Sequence, residues 1–116
     1  MNFKKYNKLL GFLSGFCAFI VYFLTVEPTA SYWDCAEYIS TSAKLQIGHP
    51  PGAPLFQMLG AVFSILAFEN TQIAYAINMM SVTSSTLTIV FMFWSVSLLG
   101  KNCLLYTSDA ADDRSC

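Results

Sequence analysis

Charged residues are scarce in this 116-residue sequence, in which Asp, Glu, Lys and Arg together make up only 11%. Soluble domains carry about a quarter of such residues, so a water-exposed surface of ordinary polarity is excluded. The formal net charge of -1 and the lack of a basic cluster also exclude a nucleic-acid-binding surface. Apolar side chains make up 55% of the chain and aromatic ones 16%. This composition predicts an integral membrane protein that contacts lipid.

Metal-type and redox-type motifs are missing as well. The four cysteines, at positions 17, 35, 103 and 116, show none of the spacings that are typical of zinc sites or redox pairs. Cys17 lies in an apolar segment, Cys35 in a polar loop, and the other two in the C-terminal tail, so the cysteines do not indicate a compartment. The sequence therefore predicts no metal ion and indicates no cofactor.

The first long apolar segment follows three lysines near the N-terminus. Leu9–Val26 runs for 18 residues without a charge, which is the length of a transmembrane helix. The lysines, at positions 4, 5 and 8, predict a cytoplasmic N-terminus by the positive-inside rule. A cleaved signal peptide has a similar basic flank, but its apolar segment is shorter, and Pro28 stands where cleavage after Ala30 needs a small residue. The pattern therefore favours a retained first span.

Two further apolar segments, Pro51–Phe68 and Ile73–Gly100, are separated by the short polar sequence Glu69–Gln72. They predict a helical hairpin with its turn on the cytoplasmic side, which gives three transmembrane spans in all. The third segment contains polar side chains that usually face other helices in a membrane. These are Asn78, Ser81, Thr83, Ser84, Ser85, Thr86 and Thr88. Lys101 opposes this orientation, because it would lie on the outer side.

The composition changes abruptly after Asn102. Residues 103–116 are too polar to span a membrane and too few to fold, which predicts a disordered tail. This segment also resembles a terminal peptide that recurs on proteins from assembled environmental DNA, where adapter sequence replaces the true continuation. We therefore expect residues 1–102 to form the N-terminal membrane region of a longer protein, and we expect no functional residue in the tail.

The loop between the first two spans, Glu27–Pro54, contains most of the informative polar residues. On helical spacing, these residues sort into a polar and an apolar stripe, which predicts a short amphipathic helix on the membrane surface of an otherwise all-α membrane protein. The polar stripe consists of Asp34, Glu37, Thr41 and Lys44, and the apolar one of Ala36, Ile39, Ala43 and Ile47. Ser31 is the predicted N-cap, and Gly48 followed by Pro50 predicts the end of the helix.

A proline-rich connector follows the predicted helix. Its prolines, at positions 50, 51 and 54, fix backbone angles and remove hydrogen-bond donors, so we expect an extended and stiff segment. Such a segment would hold His49 near Asp34 and Glu37. The result would be two carboxylates and an imidazole at a membrane–water interface, flanked by the aromatic residues Tyr32, Trp33 and Tyr38.

Each of these residues also has a simpler explanation. Asp34 is equally well explained as an acid that the helix dipole favours in the first turn. Glu37 could be solvated or paired with Lys44, and His49 could be an ordinary loop residue. The aromatic residues are typical interfacial anchors. Spacing alone therefore predicts only a membrane protein with a structured outer loop.

Two segments of this loop resemble a known protein family. They are residues 31–40, Ser-Tyr-Trp-Asp-Cys-Ala-Glu-Tyr-Ile-Ser, and residues 43–55, which contain Gly-His-Pro-Pro-Gly. They resemble the opening of a family of multi-spanning membrane proteins that was first known as a domain of unknown function. That family is common in bacteria and includes an animal protein O-mannosyltransferase. Its layout is similar to that of GT-C glycosyltransferases, which use sugars linked to lipid phosphates and keep an acidic residue in the first outer loop.

The resemblance implies roles for individual residues. Asp34 would be the general base that takes the proton of an acceptor hydroxyl, and Glu37 would assist or orient it as a second catalytic residue. His49 would contact the donor phosphate or shape the acceptor groove. The remaining candidates for substrate binding are Trp33, Tyr38, Pro50 and Pro51. These roles imply transfer of a sugar, with mannose as one candidate, from a polyprenyl-phosphate donor to a protein or glycan hydroxyl on the outer face of a bacterial inner membrane.

Two other functions are compatible with the sequence. A transporter or channel subunit would line a path with Asn78 and the hydroxyl-rich third span, but intramembrane charge usually marks such a path and the three apolar segments carry none. A non-catalytic membrane scaffold of the same shape is the other hypothesis. The enzyme hypothesis is favoured, with membrane lipid, a lipid-linked sugar and an acceptor as partners.

Overall fold

The computed structural model describes the backbone of residues 3–112 and the side chains of residues 3–103. Its elements are the helices α1 (Phe3–Thr25), α2 (Cys35–Lys44), α3 (Pro54–Ser64) and α4 (Ile73–Asp112), with a single 3₁₀ turn at Asn70–Gln72. No strand occurs among the described residues, so the predicted all-α class is confirmed. Of the predicted tail, residues 113–116 and the side chains after Cys103 lie outside the described residues, and the tail stays a prediction.

Among the described residues, two helical segments are long and apolar enough to cross a membrane. They are Phe3–Thr25 and Asn70–Cys103, and only 11% of the apolar window of each is buried within the chain. The predicted span Pro51–Phe68 is not reproduced, because α3 has 11 residues, about half of what a hydrocarbon core requires. After Ser64 the backbone N–H groups of residues 65–67 bond to carbonyls three residues back, which ends the α-helical ladder. The structure thus supports two candidate spans rather than three.

The contacts within the chain define two compact units, the helix-pair unit (Met1–Ala18 and Thr86–Cys116) and the loop unit (Phe19–Ser85). In the helix-pair unit, glycines of α1 meet large side chains of α4. Gly11 lies against the Trp94 indole, and Gly15 lies against Val90. The indole N–H of Trp94 also donates to the carbonyl of Asn7 at 3.3 Å. Close packing in this unit therefore depends on two positions that have no side chain.

In the loop unit, α2 packs against α3. Gly60 of α3 lies so close to Ser42 of α2 that an added Cβ would be 2.8 Å from the serine side chain. Ile77 of α4 adjoins the same glycine and is almost completely buried. Tyr38 and Phe56 meet edge to face, with ring centroids 5.3 Å apart. These contacts fix α2 on α3 and thereby position the loop residues.

The ends of α2 differ from the predicted ones. The helix begins after Asp34, which is the N-cap, and not at Ser31, and the Asp34 side chain makes no capping hydrogen bond. The helix ends at Lys44 because Leu45 is left-handed, with φ of 50°, and its N–H bonds back to the Ser42 carbonyl at 3.3 Å. Helix α2 therefore stops before the glycine and proline that predict its end.

The predicted two-sided pattern of α2 is not reproduced. Ile39 is buried, as expected for the apolar stripe, but Thr41 of the polar stripe is buried too. The Thr41 hydroxyl donates to the Glu37 carbonyl at 2.8 Å, so its burial leaves no donor unsatisfied. Ile47 of the apolar stripe lies beyond the helix and is 95% exposed. The reason is that α3 covers a side of α2 that includes members of both stripes.

Candidate functional site

Glu37, in the first turn of α2, binds His49 through both of its carboxylate oxygens. Oε1 accepts the backbone N–H of His49 at 2.7 Å, and Oε2 lies 2.8 Å from the ring Nδ1. The two residues are 12 positions apart, so these bonds tie the chain after α2 back to the start of the helix. The partner of Glu37 is therefore His49 and not Lys44. Two charge-assisted bonds to one carboxylate hold the imidazole in one orientation.

A tight turn presents His49, and the predicted extended connector is wrong. The N–H of Gly52 donates to the His49 carbonyl at 2.9 Å, and Gly52 has a φ of 75°, which glycine adopts without strain. Pro50 and Pro51, joined by a cis peptide bond, lie within this turn and are exposed. A proline fixes φ at a value that suits turns as well as extended chain, so the prolines alone do not distinguish the two.

Gly48 provides the space in which the Glu37–His49 contact forms. An added Cβ at Gly48 would lie 3.1 Å from Glu37 Oε1 and 3.1 Å from Gln57 Nε2. Gln57, on α3, donates to the Thr41 hydroxyl at 3.3 Å. Sequence reasoning misses Gln57, although an amide within a segment as apolar as 51–68 is a signal that could have identified it.

The Glu37–His49 pair shifts the pKa of both side chains. The bond from the His49 backbone N–H, followed by the bond from its ring, holds the pKa of Glu37 below its ordinary value of 4.5. The hydrogen bond to Glu37 and its negative charge raise the pKa of His49 above its ordinary value of 6.5, and the charge of Asp34 contributes in the same direction. Both effects favour the charged forms, so the ion pair persists over a wider pH range than separate residues would allow.

Asp34 precedes Glu37 by about one helical turn and completes a cluster of three. One ligand atom each from Asp34, Glu37 and His49 lie within 4.8 Å of one another. Such a set could hold a divalent cation, because Glu37 accepts one N–H group on each oxygen and keeps further lone pairs for a ligand bond. As it stands, the arrangement combines the exposed carboxylate of Asp34 with a hydrogen-bonded imidazole.

The aromatic residues that flank the cluster, of which Trp33 and Tyr38 are the candidates for substrate binding, fall into two groups. Trp33 and Tyr32 are 92% and 95% exposed, so they are open to a substrate or to lipid. Tyr38 packs on α3 and lines the same small hollow as Glu37 and His49. The structure therefore brings Tyr38 together with the ion pair, while Trp33 is not part of the hollow's lining.

Asn78 holds the N-terminal side of the loop. Its side-chain amide donates to the carbonyls of Glu27, at 2.8 Å, and Thr29, at 3.0 Å. The Glu27 carboxylate in turn accepts the Thr29 hydroxyl at 2.7 Å. Because an amide nitrogen has only two N–H groups, both donors of Asn78 are used on the backbone. This disfavours the hypothesis that Asn78 lines a transport path.

Comparisons with known proteins cover this site. The family described as "Protein O-mannosyl-transferase TMEM260 N-terminal domain" matches residues 34–115, more than half of the chain, starting at Asp34. A relative from Dictyostelium discoideum, named protein O-mannosyl-transferase tmem260, is 34% identical over 84 residues. That alignment covers 72% of this chain and 10% of the relative's length. No solved structure matches the chain.

Proposed function

The chain belongs to the protein O-mannosyl-transferase TMEM260 N-terminal domain family, and on that premise we propose that it forms the N-terminal membrane region of a longer glycosyltransferase. The proposed enzyme moves a sugar from a polyprenyl-phosphate donor to a hydroxyl group of a protein or glycan. The name of the relative indicates mannose as the sugar. The cluster at the start of α2 is the proposed active site.

The observation that carries this proposal is the clustering of Asp34, Glu37 and His49 within the family match. Sugar transfer to a hydroxyl needs a base for the acceptor proton and a positive group near the leaving phosphate. An exposed carboxylate next to a hydrogen-bonded imidazole provides both groups. A transporter or a scaffold requires neither, so the cluster favours the enzyme.

Asp34 is the proposed base. The acceptor oxygen forms a bond to the anomeric carbon of the sugar while the bond from that carbon to the phosphate oxygen breaks. The electron pair of the broken bond leaves with the polyprenyl phosphate, and the acceptor proton passes to the Asp34 carboxylate. Negative charge therefore moves from Asp34 to the phosphate, and His49 is the proposed phosphate contact.

The position of the cluster in the chain suits a lipid-linked donor. It follows the candidate span α1, with the exposed Trp33 next to it. A polyprenyl phosphate keeps its head at the membrane interface, where a base beyond the end of a span can reach both substrates. The N-terminal lysines assign the other end of α1 to the cytoplasm by the positive-inside rule, so the proposed site faces outward.

Sugar transfer by the full-length protein tests the proposal. Membranes that contain the protein are incubated with radiolabelled polyprenyl-phosphate mannose, and label in protein or glycan is counted. We expect transfer by the wild type and by a Glu69→Gln control. Glu69 is an acid outside the cluster, and among the described side chains its carboxylate accepts only the local bond from the Thr71 hydroxyl on the turn before α4, which a glutamine can also accept. Asp34→Asn should transfer almost none. Membranes in which the wild type moves a labelled solute but attaches no sugar would contradict the proposal and favour the transporter.

A further inference from the structure

Each oxygen of the Glu37 carboxylate accepts a hydrogen bond from the same residue, His49. The backbone N–H of His49 lies 2.7 Å from one oxygen and the ring Nδ1 2.8 Å from the other. An ionised carboxylate can only accept hydrogen bonds, so Nδ1 must carry a proton. A carboxylate held by two N–H donors is also a poor proton acceptor, and the pKa of Glu37 is lowered accordingly. Glu37 is therefore badly suited to act as a base or to assist Asp34 directly.

The other ring nitrogen of His49, Nε2, donates a hydrogen bond when the ring is charged, which is the form that the Glu37 carboxylate favours, and accepts one when the ring is neutral. With Nδ1–H bound to Glu37, Nε2 is the edge of the ring that remains for a ligand, and the His49 side chain is 52% exposed. Among residues 3–103, no hydrogen bond to Nε2 is found. The imidazole is thus oriented on one side by the protein and open on the other.

We propose that Glu37 is a positioning residue, which orients His49 so that the Nε2–H of its ring donates to a phosphate oxygen of the leaving polyprenyl phosphate. This inference rests on the proposed sugar transfer, and it assigns Glu37 a role through His49 and not beside Asp34. When the bond between sugar and phosphate breaks, a phosphodiester becomes a monoester and gains negative charge. A positively charged donor therefore binds the transition state more strongly than the ground state, which is the condition for catalysis.

The charge balance of the cluster supports this role. The charges of Glu37 and His49 compensate each other within the pair, which leaves Asp34 as the uncompensated charge of the three. As Asp34 accepts the acceptor proton and becomes neutral, the phosphate gains the charge that Asp34 loses. The ligand atoms of His49 and Asp34 lie within 4.8 Å of each other. His49 therefore lies next to the negative charge of Asp34 before the transfer and next to the new negative charge of the phosphate after it.

The pairing can be tested on the chain without any activity. The sequence contains one histidine, so the imidazole signals of the 116-residue chain in detergent micelles belong to His49. The pKa of His49 in the wild type should lie above its ordinary value, with the proton of the neutral ring on Nδ1. In Glu37→Gln, which keeps the size and removes the charge, the pKa of His49 should fall towards the ordinary value. A pKa unchanged by this substitution, or a neutral ring without a proton on Nδ1, would overturn the inference.

The role in catalysis is tested in the full-length protein. Glu37→Gln should lower kcat/KM roughly ten- to hundredfold, the range for loss of a charge-assisted hydrogen bond. It should also move the alkaline limb of the pH profile to lower pH, because His49 loses its proton earlier. Glu37→Asp, which keeps the charge, should recover part of the activity, whereas the Glu69→Gln control should match the wild type.

A double-substitution comparison separates this role from a direct one. In a His49→Ala background, Glu37→Gln should cause no further loss, because Glu37 acts through the imidazole. Equal losses in both backgrounds would overturn the positioning role. If the titration shows the pair but the wild type transfers no sugar, the proposed function fails and the phosphate role fails with it, while the pairing itself is established.

Discussion

The contacts within the helix-pair unit differ in kind from the contacts within the loop unit. In the helix-pair unit, Gly11 and Gly15 of α1 admit the bulky Trp94 and Val90 of α4, so the fit depends on size. The loop unit also has a close glycine contact, Gly60 against Ser42, but in addition polar bonds join distant parts of its chain, above all the two bonds between Glu37 and His49. We therefore expect the first unit to respond to side-chain volume and the second to respond to charge as well.

The scarcity of charge in the sequence has a related cause. Charges are costly in lipid, so they are absent from long stretches of the two candidate spans and are placed in the loop. Three of the acids, Glu27, Asp34 and Glu37, lie within the stretch from residue 27 to residue 37, and all three belong to the loop unit. The charges that the proposed mechanism uses, those of Asp34, Glu37 and His49, thus lie outside the candidate spans.

The largest expected effect is loss of turnover in Asp34→Asn, which removes charge from the loop unit without changing shape. Turnover by the full-length protein should fall roughly a hundred- to ten-thousandfold, as is typical for loss of a general base. Folding should persist, because the Asp34 side chain makes no capping bond and asparagine is an equally good N-cap. Sugar transfer and thermal unfolding are measured together. Wild-type turnover in a folded variant would remove Asp34 from the mechanism and show that this charge of the loop unit is not needed for transfer.

The next effect concerns volume in the helix-pair unit. In Gly11→Ala, the added Cβ would overlap the Trp94 indole. The free energy of unfolding should therefore fall by about 1–3 kcal/mol, as it does for overpacked cores. Gly100→Ala is the matched control, because an added Cβ there meets nothing within 4 Å. The control should be neutral or more stable by up to about 1 kcal/mol through helix propensity. Thermal unfolding in micelles followed by circular dichroism measures both. Equal shifts of the unfolding temperature in the two variants would show that side-chain size at Gly11 does not limit the packing of α1 on α4.

A smaller effect is the pH dependence of the Glu37–His49 attachment. The lowered pKa of Glu37 gives stabilisation that is present above pH 4.5 and is lost as pH falls through that lowered pKa. The raised pKa of His49, to which Asp34 also contributes, gives stabilisation that is present below pH 6.5 and is lost as pH rises through the raised value. Hydrogen-exchange protection of the His49 amide should therefore be greatest between pH 4.5 and 6.5.

A matched variant sharpens this measurement. In Glu37→Gln, the protection of the His49 amide should lose most of its pH dependence, because the variant has no charge to titrate at this position. Amides of α1 near Gly11 should show no comparable maximum, since size and not an ion pair holds that contact. A maximum of the same shape in both units would mean that the pH response is global and not a property of the pair.

The sequence was sufficient to predict the fold class and the residues of the cluster, for physical reasons that are local. Apolar runs and helix spacing indicate helices without knowledge of the fold, and Asp34 and Glu37 share a helix face because they are three residues apart. The Gly-His-Pro-Pro-Gly sequence predicts a constrained segment that begins near His49. These features survive in the structure, whereas the catalytic roles of the residues stay predictions.

The remaining features depend on contacts that no local pattern specifies. The two hydrogen bonds from His49 to Glu37 require the turn that is closed by Gly52. The prolines restrict φ, but this restriction does not select that turn. The short α3 looks like a span in the sequence, because hydropathy does not reveal that the helical ladder ends at Ser64. The burial of Thr41 follows from the packing of α3 on α2, which the spacing of α2 alone does not contain.

The smallest expected effect is that of Gln57→Met, which removes a neutral hydrogen bond from the loop unit at nearly constant volume. The bond from Gln57 to the Thr41 hydroxyl is long, at 3.3 Å, and Thr41 keeps its own bond to the Glu37 carbonyl at 2.8 Å. The free energy of unfolding should therefore fall by about 1 kcal/mol or less, and sugar transfer should stay nearly unchanged. Gln46→Met is the control, because Gln46 is exposed and its contact to Thr41 is made by the backbone. If Gln57→Met reduced transfer as strongly as Glu37→Gln does, neutral hydrogen bonds would matter as much as charge for the function of the loop unit.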